Sequence, residues 1–147
     1  MTLSVAGAGL PDDVECRLSS RPSIDVLGRV ADLEAWWRGC TVAAFPVKVR
    51  GGVPLKLIEA LERGRATVVS PELVVGLDLT DGRDVLIRDT PRAFAEAIDS
   101  LLASPDERRR LEVNACEAFV RSFSWSDATE ALLSGSFLGR EVNHELR

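Results

Sequence analysis

The chain has no tyrosine, one histidine and two lysines, Lys48 and Lys56, in 147 residues. The histidine, His144, lies three residues from the C-terminus in a polar stretch, so acid/base or triad chemistry built on histidine inside a core is excluded. Cys16, Cys40 and Cys116 are odd in number, far apart and without CxxC spacing. Neither a disulfide framework nor a zinc site follows from them, and reduced thiols in a cytosolic protein are expected. No acidic cluster has metal-ligand spacing, so no metal is expected. No apolar run approaches the roughly 18 residues that span a bilayer, and the first ten residues lack a basic leader segment before Pro11-Asp12-Asp13. A soluble chain is expected. The net charge of -5 argues against a broad phosphate-binding surface, which makes nucleic acid a poor partner and leaves room only for local basic pockets.

What is present is enough apolar sequence, 46% of the residues, for one domain with its own core. The expected division is a domain over 1–136 and a polar tail over 137–147. Leu3-Ser4-Val5-Ala6 alternates as a short strand and runs into Gly7-Ala8-Gly9. Residues 23–28 repeat that pattern, and residues 31–38 carry Leu33, Trp36 and Trp37 at helical spacing. Thr41-Val42-Ala43-Ala44-Phe45 is apolar and stops at Pro46, as a strand buried on both faces would. Residues 54–63 predict the clearest helix, with proline in its first turn and Gly64 closing it. Ala66-Thr67-Val68-Val69 is a second buried strand. Residues 72–81 read as an irregular loop containing Gly76, and Asp84-Val85-Leu86-Ile87 as another strand. Thr90-Pro91 opens a helix whose apolar face is Phe94, Ala97, Ile98, Leu101 and Leu102. Further helices are expected over 106–120 and after Ser124.

Strands alternating with helices through short loops imply βαβ units. The fold class expected is α/β, a Rossmann-like parallel sheet with helices on both faces. In such sheets ligands bind outside the carboxyl ends of the strands, here residues 7–10, 28–30, 46–54 and 70–79. The loop Arg50-Gly51-Gly52-Val53 feeds the helix opened by Pro54. Its glycines leave the backbone accessible where a helix presents free N–H groups, an arrangement suited to an anion. No hydroxyl, amide or carboxylate stands at the expected N-cap near Val53, so the N–H groups of Leu55 and Lys56 lack an obvious local acceptor. Water capping an exposed helix end is the bland alternative. Glu59 falls at the edge of the apolar arc of Leu55, Leu57, Ile58 and Leu61. It is placed either to meet a ligand or to pair with Arg63 four residues on, a contact stabilising by roughly 0.3 to 0.5 kcal/mol. Lys56 has a solvated side chain as its bland reading.

The stretch Gly51-Gly52-Val53-Pro54-Leu55-Lys56-Leu57-Ile58-Glu59-Ala60-Leu61-Glu62-Arg63-Gly64-Arg65-Ala66-Thr67-Val68-Val69 resembles the donor-binding segment of group 1 glycosyltransferases. Val5-Ala6-Gly7-Ala8-Gly9 and the segment from Val26 to Leu33 are similar to two further family strands with their turns. Downstream, Val75-Gly76-Leu77, the run from Asp81 to Ile87, the helix from Pro91 and Phe123-Ser124-Trp125 follow the family order. The resemblance covers about Leu3 to Leu133 and implies the C-terminal half of a GT-B enzyme of glycosyltransferase family 4, truncated at its N-terminal side. It further implies binding of a nucleotide-diphosphate sugar as substrate, without metal or other cofactor. Glu59 would hold the ribose hydroxyls, and the backbone of Gly51, Gly52, Val53, Leu55 and Lys56 would approach the diphosphate or sugar. Gly7, Gly9, Arg29, Val75 and Gly76 are further pocket candidates.

Two departures stand out. Many family members carry a second glutamate eight positions before Glu59, where this chain has Gly51. The strand and helix that in the family bring an arginine and a lysine to the diphosphate have no counterpart, nor has the acceptor domain. Gly7-Ala8-Gly9 does not replace them as a dinucleotide fingerprint, because the third glycine position is Asp12. A second polypeptide or domain carrying the acceptor site is therefore the expected partner, with self-association through the uncovered surface as a further expectation. The location expected is cytoplasmic, with any attachment to the inner membrane left to a partner. A non-catalytic nucleotide-sugar-binding or interaction domain, or a truncated remnant, is the competing reading.

Overall fold

The structure, a computed structural model, describes residues 2–49 and 51–123. The helix expected after Ser124 and the tail expected over 137–147 lie outside the described residues. The chain divides between Cys40 and Thr41 into two compact units.

The first unit holds β1 (Leu3–Ala6), α1 (Asp12–Ser19), β2 (Ile24–Gly28) and α2 (Leu33–Gly39). β1 and β2 pair in parallel, Leu3 opposite Ile24 and Val5 opposite Val26, with a shift in register between Val5 and Ala6. The ladder ends at Gly28, whose φ of 58° is left-handed and whose carbonyl accepts from the Gly7 N–H at 2.8 Å. Helix α1 corrects the sequence reading, which passed from a glycine turn directly to a strand. It is a surface helix with no buried residue, held by three carboxylates in its first turn, Asp12, Asp13 and Glu15, and Arg17 in its last. Its two apolar residues, Val14 and Leu18, are too few to set up a period. In α2 the Asp32 carboxylate accepts the Ala35 N–H at 2.9 Å as a helix cap, and Trp37 is buried against the edge of Trp36.

The second unit holds β3 (Ala43–Phe45), α3 (Leu55–Glu62), β4 (Thr67–Val69), α4 (Pro71–Val74), β5 (Leu86–Ile87), α5 (Pro91–Ala103) and α6 (Pro105–Phe123). Its strands pair in parallel in the order β3-β4-β5. β4 is central and buried throughout, so its residues serve two cores. Val69 packs with Leu57, Leu61, Leu73, Val85 and Ala115, whereas Val68 packs with Ala66, Leu86, Ala97, Leu101 and Leu111. This is the burial of both faces that unbroken apolar strands imply. α4 is the second correction: a single turn, opened by Pro71, stands where an irregular loop was expected.

Local chemistry sets the boundaries of the longer helices. α3 ends in a Schellman motif: the Gly64 N–H donates to Leu61 O and the Arg65 N–H to Ala60 O, both at 2.9 Å, with Gly64 at φ 57°. Thr90 caps α5, its hydroxyl accepting the Ala93 N–H at 3.2 Å, with Pro91 in the first turn. α6 grips the segment between Asp78 and Asp84. Arg110 donates to Gly82 O at 2.9 Å, Asn114 to Arg83 O at 3.0 Å and Arg121 to Asp78 O at 3.3 Å. Arg121 also donates to the Asp84 carboxylate at 3.2 Å, and that carboxylate, fully buried, accepts the Thr80 N–H at 2.9 Å.

Candidate functional site

At the carboxyl end of β3 the chain turns at Pro46, the Val47 N–H donating to Phe45 O at 2.9 Å, and leaves toward the loop that precedes α3. Gly52, at φ 75°, takes a left-handed conformation that bends this loop into the helix start. Pro54 occupies the cap position of α3 and supplies no side-chain cap. The Leu55 N–H is occupied by Val53 O at 2.9 Å, and Pro54 O receives the N–H groups of Leu57 and Ile58 at 3.0 and 3.1 Å. That leaves the Lys56 N–H without an acceptor among the described residues. Two first-turn donors were expected to be open, and the Val53 carbonyl reduces them to one by folding the entry into a tight three-residue turn. The Lys56 side chain is exposed, so a cation and a free N–H stand at the same helix end.

An open cavity of about 290 Å³ lies here, lined by Phe45, Val47, Val53, Pro54, Leu55, Lys56, Leu57 and Leu73. Its wall is mostly apolar, with Lys56 as its charged member. Leu55 corrects the sequence reading: it was assigned to the buried arc of α3, yet it is 66% exposed at the cavity wall. The helix begins at Leu55 itself, so there is no preceding turn to bring that side chain over the core.

Glu59 is half-buried one turn further along α3 and does not line the cavity. Its pairing with Arg63 does not form through the carboxylate. The Arg63 guanidinium donates to the Glu59 backbone carbonyl at 3.2 Å and to Glu62 Oε2 at 3.1 Å. Among the described residues the Glu59 carboxylate takes no hydrogen bond or ion pair, and its oxygens reach solvent, where they are open to hydrogen-bond donors.

Of the residues singled out from sequence, Val53, Leu55 and Lys56 share this cavity. Gly51 and Gly52 lie exposed in the loop beside it. Val75, 65% exposed, and Gly76, at φ 76°, follow α4 and are not in its wall. Gly7, Gly9 and Arg29 belong to the first unit, where Arg29 is exposed just past β2. Of the other lining residues, Val47 and Leu73 fall within the strand-end ranges 46–54 and 70–79, whereas Phe45 and Leu57 were not foreseen. Phe45 and Leu57 resemble ordinary core residues in any sequence reading, and Leu73 enters only because α4 forms.

A larger cavity, about 420 Å³, opens at the other end of α3 between Arg63, Gly64, Arg65, Arg109, Glu112 and Cys116, among others. It is the seam where α6 passes the end of α3 and holds none of the residues to which the loop chemistry points. The smaller cavity is the candidate site, because it stands at strand carboxyl ends and at a helix N-terminus. Among the described residues no group of histidine, cysteine and carboxylate side chains could hold a metal ion, and no helix is long and apolar enough to cross a membrane.

Comparison with known proteins bears on the fold and the family. The structure is similar to HepE of Anabaena in complex with UDP and glucose, with a TM-score of 0.75 at 15% identity over 94% of this chain and 40% of that one. It is similar to the sucrose-phosphate synthase of Thermosynechococcus elongatus, with a TM-score of 0.75 at 21% identity over 93% of this chain and 37% of that one. A third similar structure is the C-terminal domain of the group 1 glycosyl transferase LpcC of Francisella tularensis, with a TM-score of 0.67 at 17% identity over 82% of this chain and 68% of that one. The chain thus spans about two fifths of the length of HepE, and its fold, parallel strands with helices, is that of GT-B glycosyltransferases. A search of curated protein sequences finds no significant match. The family model of glycosyl transferases group 1 matches residues 1–104, most of the sequence, and the chain belongs to that family.

Proposed function

We propose that this chain binds a nucleotide-diphosphate sugar and serves as the donor half of a glycosyltransferase whose acceptor site is supplied by a second polypeptide or domain. The observation that carries this reading is the start of α3. A glycine-bent loop, a Lys56 N–H without an acceptor among the described residues, and the Lys56 ammonium meet at one cavity at the strand ends. HepE, similar in fold, is described with UDP and glucose, which supports a uridine- or other nucleoside-diphosphate donor as the class.

In this reading the diphosphate lies against the α3 N-terminus, where the helix dipole, equivalent to roughly half a positive charge, and Lys56 neutralise it. Transfer breaks the bond between the anomeric carbon and the diphosphate oxygen. The electron pair stays on that oxygen, and the acceptor oxygen forms the new bond and passes its proton to the departing diphosphate. Charge grows on the leaving phosphate, so a donor and a cation fixed beside it stabilise the transition state more than the ground state. No metal is needed for that neutralisation. Glu59, with its carboxylate unclaimed within the described chain, accepts the ribose hydroxyls. A non-catalytic sugar-nucleotide-binding domain shares every binding contact and differs only at transfer, and the limited span of the chain against its structural neighbours keeps that reading beside the first.

The test is a thermal-shift panel of UDP, GDP and ADP and their sugar conjugates. A matching ligand at about 100 times its Kd stabilises the fold by about 2.7 kcal/mol, a rise of several degrees in Tm. Glu59→Ala removes most of that rise while leaving the Tm of the free protein nearly unchanged, and magnesium or EDTA leaves the shift as it was. A flat response to the whole panel, or strict dependence on a metal, defeats the proposal.

A further inference from the structure

Ser70 occupies the N-cap position of α4, with φ -79° and ψ 153° and Pro71 following it. Serine at that position ordinarily turns its hydroxyl onto the helix it opens. Here the hydroxyl makes no cap bond with α4. Instead it donates across the sheet to the Val47 carbonyl and lies 3.4 Å from the Phe45 carbonyl, and the Ser70 N–H donates to Phe45 O at 3.3 Å. The side chain is thus spent on another strand's exit, although a local use was available.

The geometry at that exit gives the hydroxyl its consequence. β3 and β4 end together, Phe45 opposite Val69, and Ser70 follows directly after β4. Phe45 O receives two N–H groups, those of Val47 and Ser70. Val47 O is held by the Ser70 hydroxyl. Both carbonyls on either side of Pro46 are therefore fixed by one residue that is itself only 6% exposed. Phe45 and Val47 form part of the wall of the candidate cavity, and the chain leaves Val47 directly into the glycine loop that opens α3.

We propose that Ser70 is a positioning residue: its hydroxyl and N–H clamp the exit of β3, fix the direction in which the chain leaves Val47, and so set the anion-facing start of α3 against the cavity. It touches no donor atom itself. Its effect on ligand affinity rests on the donor-binding reading given above, whereas its hold on the loop does not.

The experiment uses the full chain as wild type, Ser70→Ala and Ser70→Thr, with hydrogen exchange followed by mass spectrometry and with affinities for UDP, GDP and ADP. Ser70→Ala is expected to speed exchange over residues 47–53 by about tenfold, with α5 and α6 unaffected, and to weaken the best nucleotide's Kd by about tenfold. Ser70→Thr, which restores a hydroxyl, returns both to within about twofold of wild type. Unchanged loop exchange in Ser70→Ala, or acceleration spread evenly over α5 and α6, overturns the clamp. A looser loop with unaltered Kd overturns its link to binding. If the wild type binds none of the nucleotides, the donor reading falls while loop exchange still decides the clamp. Should Ser70→Ala fail to fold, Ser70→Cys keeps the volume with a much weaker donor and is judged by the same two measurements.

Discussion

Gly64 illustrates how one residue joins two constraints. Its left-handed backbone ends α3, and a Cβ placed there would stand 2.7 Å from Cys116 Sγ and 3.1 Å from the Glu112 carbonyl oxygen. The thiol has to turn out of the way at some cost, whereas the carbonyl belongs to the α6 backbone and cannot move. Gly64→Ala is therefore expected to cost about 2 kcal/mol or more, measured by urea denaturation, from the left-handed penalty and the contact together. In a Cys116→Ala background the substitution should cost less, since only the thiol part of the clash is relieved. Equal costs in the two backgrounds would mean that Sγ moves freely. The glycine was legible from sequence because helix ends have a chemical signature. Lys56 was legible too, as a side chain beside an uncapped helix start. Ser70 was not: a serine before proline reads as a cap, and nothing in the local sequence tells that its hydroxyl is used 23 residues away. That the Glu59 carboxylate has no partner among the described residues likewise depends on where Arg63 turns, a choice that i,i+4 spacing leaves open.

Among the elements, α6 does the most to hold the second unit together away from the sheet. The Asp84 carboxylate has no exposed surface, and Arg121 reaches it while also standing 3.4 Å from Asp78. Arg121→Ala leaves a buried carboxylate with the Thr80 N–H and, at 3.7 Å, the Arg83 guanidinium. The loss expected is roughly 3 kcal/mol, the usual penalty for stranding one member of a buried pair. Asp84→Asn keeps an acceptor for Thr80 and should cost less than Arg121→Ala. Chemical denaturation of both variants checks the order, and the reverse order would place the strain at the turn instead of at the ion pair. Long elements with a clear period, α3, α5 and α6, were visible in the sequence to within a few residues. α1 and α4 were not, because one has two apolar residues and the other has four residues in all, too few for a repeat to register. The strand expected over 84–87 narrows to Leu86–Ile87 because Asp84 and Val85 are taken up by the turn, Val85 bridging to Asp81.

For the molecule as a whole, the strongest sequence signal was order: weak segments in the sequence of one family, which the match over residues 1–104 bears out. What could not be read was the grouping of strands, a two-stranded ladder and a three-stranded one, since hydrogen-bond partners are set by tertiary packing and not by periodicity. In a two-walled cleft, bringing donor and acceptor together is worth up to roughly 10 kcal/mol of barrier. On the proposed donor reading, a chain of this span should accordingly show little or no sugar transfer by itself, and at most slow donor hydrolysis. Assays of the purified chain with radiolabelled donors and a crude extract of acceptors, with and without the product of an adjacent gene, measure this directly. Multiple turnovers by the pure chain would show the second wall to be dispensable. The grip of α6 on the segment from Asp78 to Asp84 has a different kind of consequence, for how such a protein drifts over generations. Arg110, Asn114 and Arg121 take hold of main-chain oxygens at Gly82, Arg83 and Asp78, atoms that every residue type provides. These hydrogen bonds ask nothing of the side chains at Arg83 and Asp78, whose identities count only through their ion pairs with Asp84 and Arg121, whereas adding or deleting a single residue would slide the oxygens out of reach of all three, so this stretch should record its history in spellings and hardly ever in length.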